Sequence, residues 1–245
     1  MEKSRTASGR EEKLSLSASI RKRQQEGRFP VISEVKIRSD KEGDLLGTRD
    51  PVNLAREMAR CPVAGVSVVT ESEHFGGNMG LLRSVAAAVD IPVLHKDFIT
   101  SEHQIEESAA FGASAILLIT AMLDVEQLVR LIEAARNFGL ETLVEAHSLD
   151  EVKRIEDLTF DLMGINNRDI TVYETDDDDV ARTENLACFC RQGRLLISES
   201  SINTPDEVRR AGRSGADAVL IGTAILKAER MSDLLDELVS VGWPV

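Results

Sequence analysis

The chain has 245 residues, enough for one large domain or two small ones, and 42% are hydrophobic but only 4% aromatic, so its core must be mostly Val, Ile, Leu and Ala. A net charge of −13 argues against nucleic acid or an anionic membrane as partner, since both demand a positive footprint. The three cysteines, Cys61, Cys188 and Cys190, make no disulfide framework, and an odd count without a secretory leader fits a reducing, cytoplasmic compartment. No apolar run approaches the roughly 18 residues of a membrane span. Cys188-x-Cys190 has no histidine near it in sequence, so no metal site is expected there.

In chain order, the first 28 residues end in SIRKRQQEG and read as a charged helical extension ahead of the first strand. Short apolar runs then recur: PVISEVK (30–36), AGVSVVT (64–70), IPVLHK (91–96) and ASAILLIT (113–120), then LETLVEA (140–146), DLMGIN (161–166), RLLISES (194–200) and DAVLIG (217–222). Between them, segments such as NLAREMAR, MGLLRSVAAAV and VEQLVRLIEAARNFG carry apolar residues three and four apart, the helical period. Ser101, Asp124 and Thr204 stand where helix N-caps belong, and Gly112 and Gly139 where helices end. Near-continuous apolar strands alternating with helices indicate a parallel sheet covered on its outer face. Eight such units in this length predict an α/β fold, a (β/α)8 TIM barrel over residues 29–245 preceded by the extra helix of residues 1–28. An open doubly wound sheet would show a G-x-G-x-x-G turn after its first strand, and none is present.

Chemistry in such barrels sits at the C-terminal ends of the strands. Those ends carry Glu34 and Lys36, Thr70, Lys96, Thr120, Glu145, Asn166, Glu199 with Ser200, and Gly222 with Thr223. Glu34 and Lys36 are two apart and face the same side of one strand, where a carboxylate would keep the ammonium charged. Lys96 and Glu145 enter from other strands, giving an acid and a base on opposite walls. The small residues of LISESS and VLIGTA, each leading into a helix, would let main-chain N–H groups close on a phosphate.

Taken together, VISEVK, VTESEHFGG, PVLHKDFI, LVEAH, GINNRD, SESS and VLIGTAIL resemble, in order and spacing, the motifs of the indole-3-glycerol phosphate synthase family, from about residue 14 to 228. The resemblance implies closure of the indole ring of 1-(2-carboxyphenylamino)-1-deoxyribulose 5-phosphate, with loss of carbon dioxide and water and with no metal or other cofactor. It implies that Lys96 is the general acid, that Glu34 positions Lys96, that Lys36 contacts the substrate carboxylate, and that Glu145 does acid/base work in the dehydration. Asn166, Arg168, Glu199 and Ser200 would line the pocket, Phe75 and Phe98 would hold the anthranilate ring, and Ser39, Ser201, Gly222 and Thr223 would hold the phosphate. The implied partner is a small phosphorylated substrate, with neither nucleic acid nor membrane, and a monomer is the expected state.

Three positions depart from the family pattern. Ser39-Asp40-Lys41 replaces Ser-Pro-Ser, Ser200-Ser201 replaces Ser-Gly, and His95 replaces the arginine usual beside the catalytic lysine. His95 is expected to point outward rather than act as a base, and His74, His103 and His147 to lie at the surface or in loops. Two other readings share these residues: a phosphate-binding barrel that forms a Schiff base through Lys36 or Lys96, and a barrel that binds its ligand without turnover. The DDDD run at 176–179 reads as a solvated face after the sixth strand.

Overall fold

The computed structural model describes residues 14–168, 179–190 and 193–245; the first half of the expected N-terminal extension and most of the DDDD run lie outside the described residues. Eight parallel strands close into a barrel: β1 (Val31–Val35), β4 (Gly65–Val69), β5 (Val93–Lys96), β6 (Ala115–Ile119), β7 (Glu141–Ala146), β8 (Leu162–Asn166), β9 (Leu195–Glu199) and β10 (Ala218–Ile221). β1 pairs with both β4 and β10, which leaves the barrel without an open edge. A short antiparallel ribbon, β2 (Arg38–Ser39) with β3 (Gly43–Asp44), follows β1.

Helices α2 (Pro51–Arg60), α3 (Met79–Ala86), α4 (Glu102–Ala110), α5 (Val125–Asn137), α6 (Leu149–Ile155), α7 (Ala181–Leu186), α8 (Pro205–Ser214) and the pair α9 (Thr223–Lys227) and α10 (Met231–Val239) surround the barrel. Ser101, Asp124 and Thr204 each cap a helix and complete a capping box, as their sequences predict. Gly112 and Gly139 take the positive φ that ends a helix.

The pleat sorts the strand residues into two sets. Ile32, Leu94, Leu143, Leu162, Ile197 and Leu220 point inward and fill the barrel axis, a core separate from the one under the helices. Continuing the same alternation toward the C-terminal ends brings Glu34, Lys36, Lys96, Glu145 and Glu199 inward as well, one layer higher.

At the opposite end, helix α1 (Leu16–Gln25) lies under the barrel with Leu16 and Ile20 fully buried against the axial core. Glu141, the first residue of β7, holds the start of that helix. Its carboxylate accepts from Ser15 Oγ at 2.9 Å, from the Leu16 and Ser17 amides at 2.5 and 3.1 Å, and from Ser17 Oγ. Gly65 leaves the room: a Cβ there would meet Leu16 Cδ1 and the Pro92 carbonyl oxygen, each at 2.9 Å.

Candidate active site

The C-terminal ends of the strands open onto a cavity of about 390 Å³. Lys96 stands at its floor. The ammonium lies 3.3 Å from Glu34 Oε2 and 3.4 Å from Glu199 Oε2, while Lys36 Nζ lies 3.3 Å from the other oxygen of Glu34. Glu34 thus bridges two lysines, as the two-residue spacing on β1 suggested for one of them.

Burial and charge act against each other throughout this cluster. Burial would push the Glu34 carboxyl up, but Lys96 and Lys36 more than offset it and hold the group below its ordinary value. Burial would likewise push Lys96 down, and Glu34, Glu199 and Glu145 together raise it above the lysine range. Glu145 is raised by burial, against the pull of Lys96. Glu199 is pushed up to about 8 by burial, with Lys96 opposing and Glu145 adding to the shift. The cluster therefore sets the Lys96 ammonium beside one carboxylate held below its ordinary value, Glu34, and two carboxyls that burial raises, Glu145 and Glu199. A buried ammonium packed among carboxyls with opposed shifts is an arrangement suited to acid/base chemistry.

The raised Glu199 carboxyl has a stability consequence. An unfolded glutamate titrates near 4.3, so between about 4.3 and 8 the native state binds more protons than the unfolded one, and stability falls as pH rises through that window. Glu199→Gln removes that contribution. Its melting temperature relative to the unsubstituted protein should rise from pH 5 to pH 9, and a constant difference in melting curves across that range would refute the shift.

Two glycines make space for these carboxylates. A Cβ on Gly222 would meet Glu34 Oε1 at 2.5 Å, and one on Gly164 of β8 would overlap Glu199 Oε1. Gly222 has φ −122, so close approach rather than a left-handed backbone requires glycine there. Gly222→Ala should push Glu34 off Lys96 and lower kcat by about 10- to 100-fold, the scale for misplacing a catalytic group by an ångström. Near-normal turnover in that variant would show that Glu34 need not hold Lys96.

Of the other residues singled out from sequence, Phe75, Phe98, Asn166, Arg168, Ser200, Ser201 and Thr223 line the cavity together with Gly222. Glu199 is fully buried beneath it and reaches it only through Lys96. Ser39 does not line it; its hydroxyl accepts the Glu42 amide at 3.2 Å, and Asp40 stands at the wall instead. Ser200 and Ser201 adopt φ of 66° and 55°, the left-handed backbone that a glycine takes freely and a serine takes at a cost.

Asn167, which sequence reading passed over, holds that loop. Its side-chain amide donates to Ser198 Oγ and to the carbonyls of Glu199 and Ser200 at 3.0–3.1 Å, and its oxygen accepts from the amide and hydroxyl of Thr183 on α7. A backbone fixed from this many directions can retain a strained conformation. Glu71 plays a similar part after β4, accepting the amides of Glu73, His74 and Phe75 and so setting the Phe75 wall. His74, expected at the surface or in a loop, lies in this loop and also lines the cavity.

Fold and site define a (β/α)8-barrel enzyme with a buried cluster of lysines and carboxyls at the strand ends and a cavity above it. The sequence profile of the indole-3-glycerol phosphate synthase family matches residues 2–238. The chain is 43% identical over 224 residues to the indole-3-glycerol phosphate synthase of Pyrococcus furiosus, covering 91% of this chain and 96% of that one. It is 41% identical over 210 residues to the enzyme of the same name from Pyrococcus abyssi, covering 86% and 91% of the two chains. Against that of a Nocardioides species it is 45% identical over 197 residues, or 80% and 75%. The chain belongs to the indole-3-glycerol phosphate synthase family, a ring-closing, decarboxylating lyase of tryptophan biosynthesis. Among the described residues, no helix is long and apolar enough to cross a membrane.

Proposed function

We propose that this cavity closes the indole ring of 1-(2-carboxyphenylamino)-1-deoxyribulose 5-phosphate with Lys96 as the general acid. The observation that carries the assignment is the Lys96 ammonium, held at 3.3 and 3.4 Å by Glu34 and Glu199 on the cavity floor. The ring carbon that bears the carboxylate attacks the ketone carbon, and negative charge grows on the ketone oxygen. Lys96 gives that oxygen a proton. Loss of carbon dioxide returns the bonding electrons to the ring, and loss of water completes the indole.

Glu145, whose carboxyl burial raises, is suited to exchange the protons of the dehydration. Lys36 meets the substrate carboxylate from the position just after β1, and Glu34 helps keep the Lys96 ammonium charged. Phe75 and Phe98 hold the aromatic ring, with Asn166 and Arg168 as polar contacts beside it. The main chain at Ser200, Ser201, Gly222 and Thr223 closes on the phosphate. Gripping the substrate at both ends holds a flexible molecule folded for closure. The three free thiols fit the cytoplasm as its place of work.

The test is to mix the purified protein with this substrate, without added metal, and follow indole fluorescence. Signal is the expected result. Tight binding with no signal would instead identify a pocket that holds its ligand without turnover.

A further inference from the structure

His95 points away from the cavity, between β5 and α4, and is 1% exposed. Both of its ring nitrogens meet hydroxyls: Nε2 lies 2.7 Å from Thr70 Oγ1, and Nδ1 lies 2.7 Å from Ser108 Oγ. Each hydroxyl has one proton to give. Ser108 gives its proton to the Gln104 carbonyl oxygen, 2.6 Å away and one turn earlier in α4. A carbonyl only accepts, so Nδ1 must carry a hydrogen and donate it to Ser108. Thr70 in turn is in short hydrogen-bond contact with Asp97 Oδ2, and a carboxylate also only accepts. The Thr70 proton goes there, which leaves its lone pairs for a hydrogen on Nε2.

We infer that His95 is an imidazolium, joined through Thr70 to the Asp97 carboxylate, and that this pair, the imidazole buried and the carboxylate at the cavity wall, is a positioning device for the strand end that carries Lys96 and Phe98. The one other arrangement that satisfies every contact moves the extra proton to Asp97. Against it, Asp97 Oδ1 also accepts the Phe98 amide at 2.7 Å. Burial would raise this carboxyl, but the nearby His95 and the hydrogen bonds from Thr70 and Phe98 offset it and hold the group below its ordinary value.

The arrangement matters for function because Asp97 lines the cavity beside Lys96. An unbalanced negative charge there would oppose an anionic substrate. The imidazolium, with Nε2 3.8 Å from Asp97 Oδ2, balances it from behind the sheet. Asp97 in turn fixes the Phe98 turn through its amide. His95 thus acts through Asp97 and touches no reacting atom. The functional half of the inference rests on the proposed anionic substrate; the proton count rests on the hydrogen bonds alone.

Nitrogen-15 spectra of the histidine rings test the count in the native protein near neutral pH. One histidine should show protons on both ring nitrogens, and that signal should vanish in His95→Gln. A singly protonated His95 ring would overturn the assignment. Steady-state kinetics test the role. His95→Arg, which keeps a cation, should hold KM within about threefold. His95→Gln and Thr70→Val, which remove the cation or the bridge, should raise KM about tenfold with a smaller change in kcat, the scale of a lost hydrogen bond to a charged group. Equal KM for the Gln, Arg and Thr70→Val variants would overturn the positioning role. If the unsubstituted protein bound no substrate, the proposed reaction would fall together with that role, while the ring spectra would still decide the proton count.

Discussion

Replacing Lys96 with alanine is expected to leave a folded barrel that closes almost no rings, with kcat lower by about 10²- to 10⁴-fold, the range for removal of a general acid. The fold should survive because the charges left behind can settle. Glu34 keeps Lys36 at 3.3 Å, and Glu199, pushed up to about 8 even beside the ammonium, can hold its proton once that cation is gone. Lys96→Arg should not restore activity. A guanidinium can pair with the carboxylates, but it stays charged and does not release a proton as an ammonium does. Substrate turnover measured by indole fluorescence, with circular dichroism for the fold, decides the matter. Retention of more than about a tenth of kcat in Lys96→Ala would remove Lys96 from the acid's role.

The second large effect lies at the other end of the barrel and concerns stability alone. Glu141→Ala deletes the acceptor for two amides and two hydroxyls at the start of α1, leaving the helix start without its partner. Loss of such a capping carboxylate should cost about 2–3 kcal/mol. For a domain of this size that corresponds to a melting temperature lower by about 4–12 °C. Since Glu141 is at the far end of the strand from Glu145, kcat at 25 °C should stay within about twofold of the original. A melting temperature unchanged within 1 °C would show that Leu16 and Ile20 hold the helix without help.

The barrel was legible in the sequence because each strand announces itself locally. Runs such as AILLI and AVLI are apolar throughout, and the helices between them begin at Ser101, Asp124 and Thr204 with their caps spelled out over four residues. The ionisable strand ends were equally visible, since Glu34, Lys36, Lys96, Glu145 and Glu199 interrupt apolar runs. What could not be read were relations set by barrel closure. Gly164 is an unremarked strand glycine until β9 is laid beside β8 and Glu199 fills the space over it. Asn167 looks like any residue after a strand, yet it joins β9 to α7, contacts that lie 16 to 33 positions away in sequence. Ser39 shows the converse: its place in the sequence motif suggested the phosphate, while the ribbon that follows β1 turns its hydroxyl to the Glu42 amide.

The docking of α1 also bears on how the chain reaches this state. The helix precedes every strand of the barrel in sequence, but its carboxylate partner is about 125 residues further on, and the axial side chains beneath it come from strands up to β10. Until β7 at least has joined the sheet, Leu16 and Ile20 have nowhere to go. An incomplete barrel therefore leaves the Leu16–Ile20 stripe without its axial partners. Such long-range closure is slow by nature, because loop entropy must be overcome before the contact rewards it. The docking of α1 thus depends on a barrel that has closed.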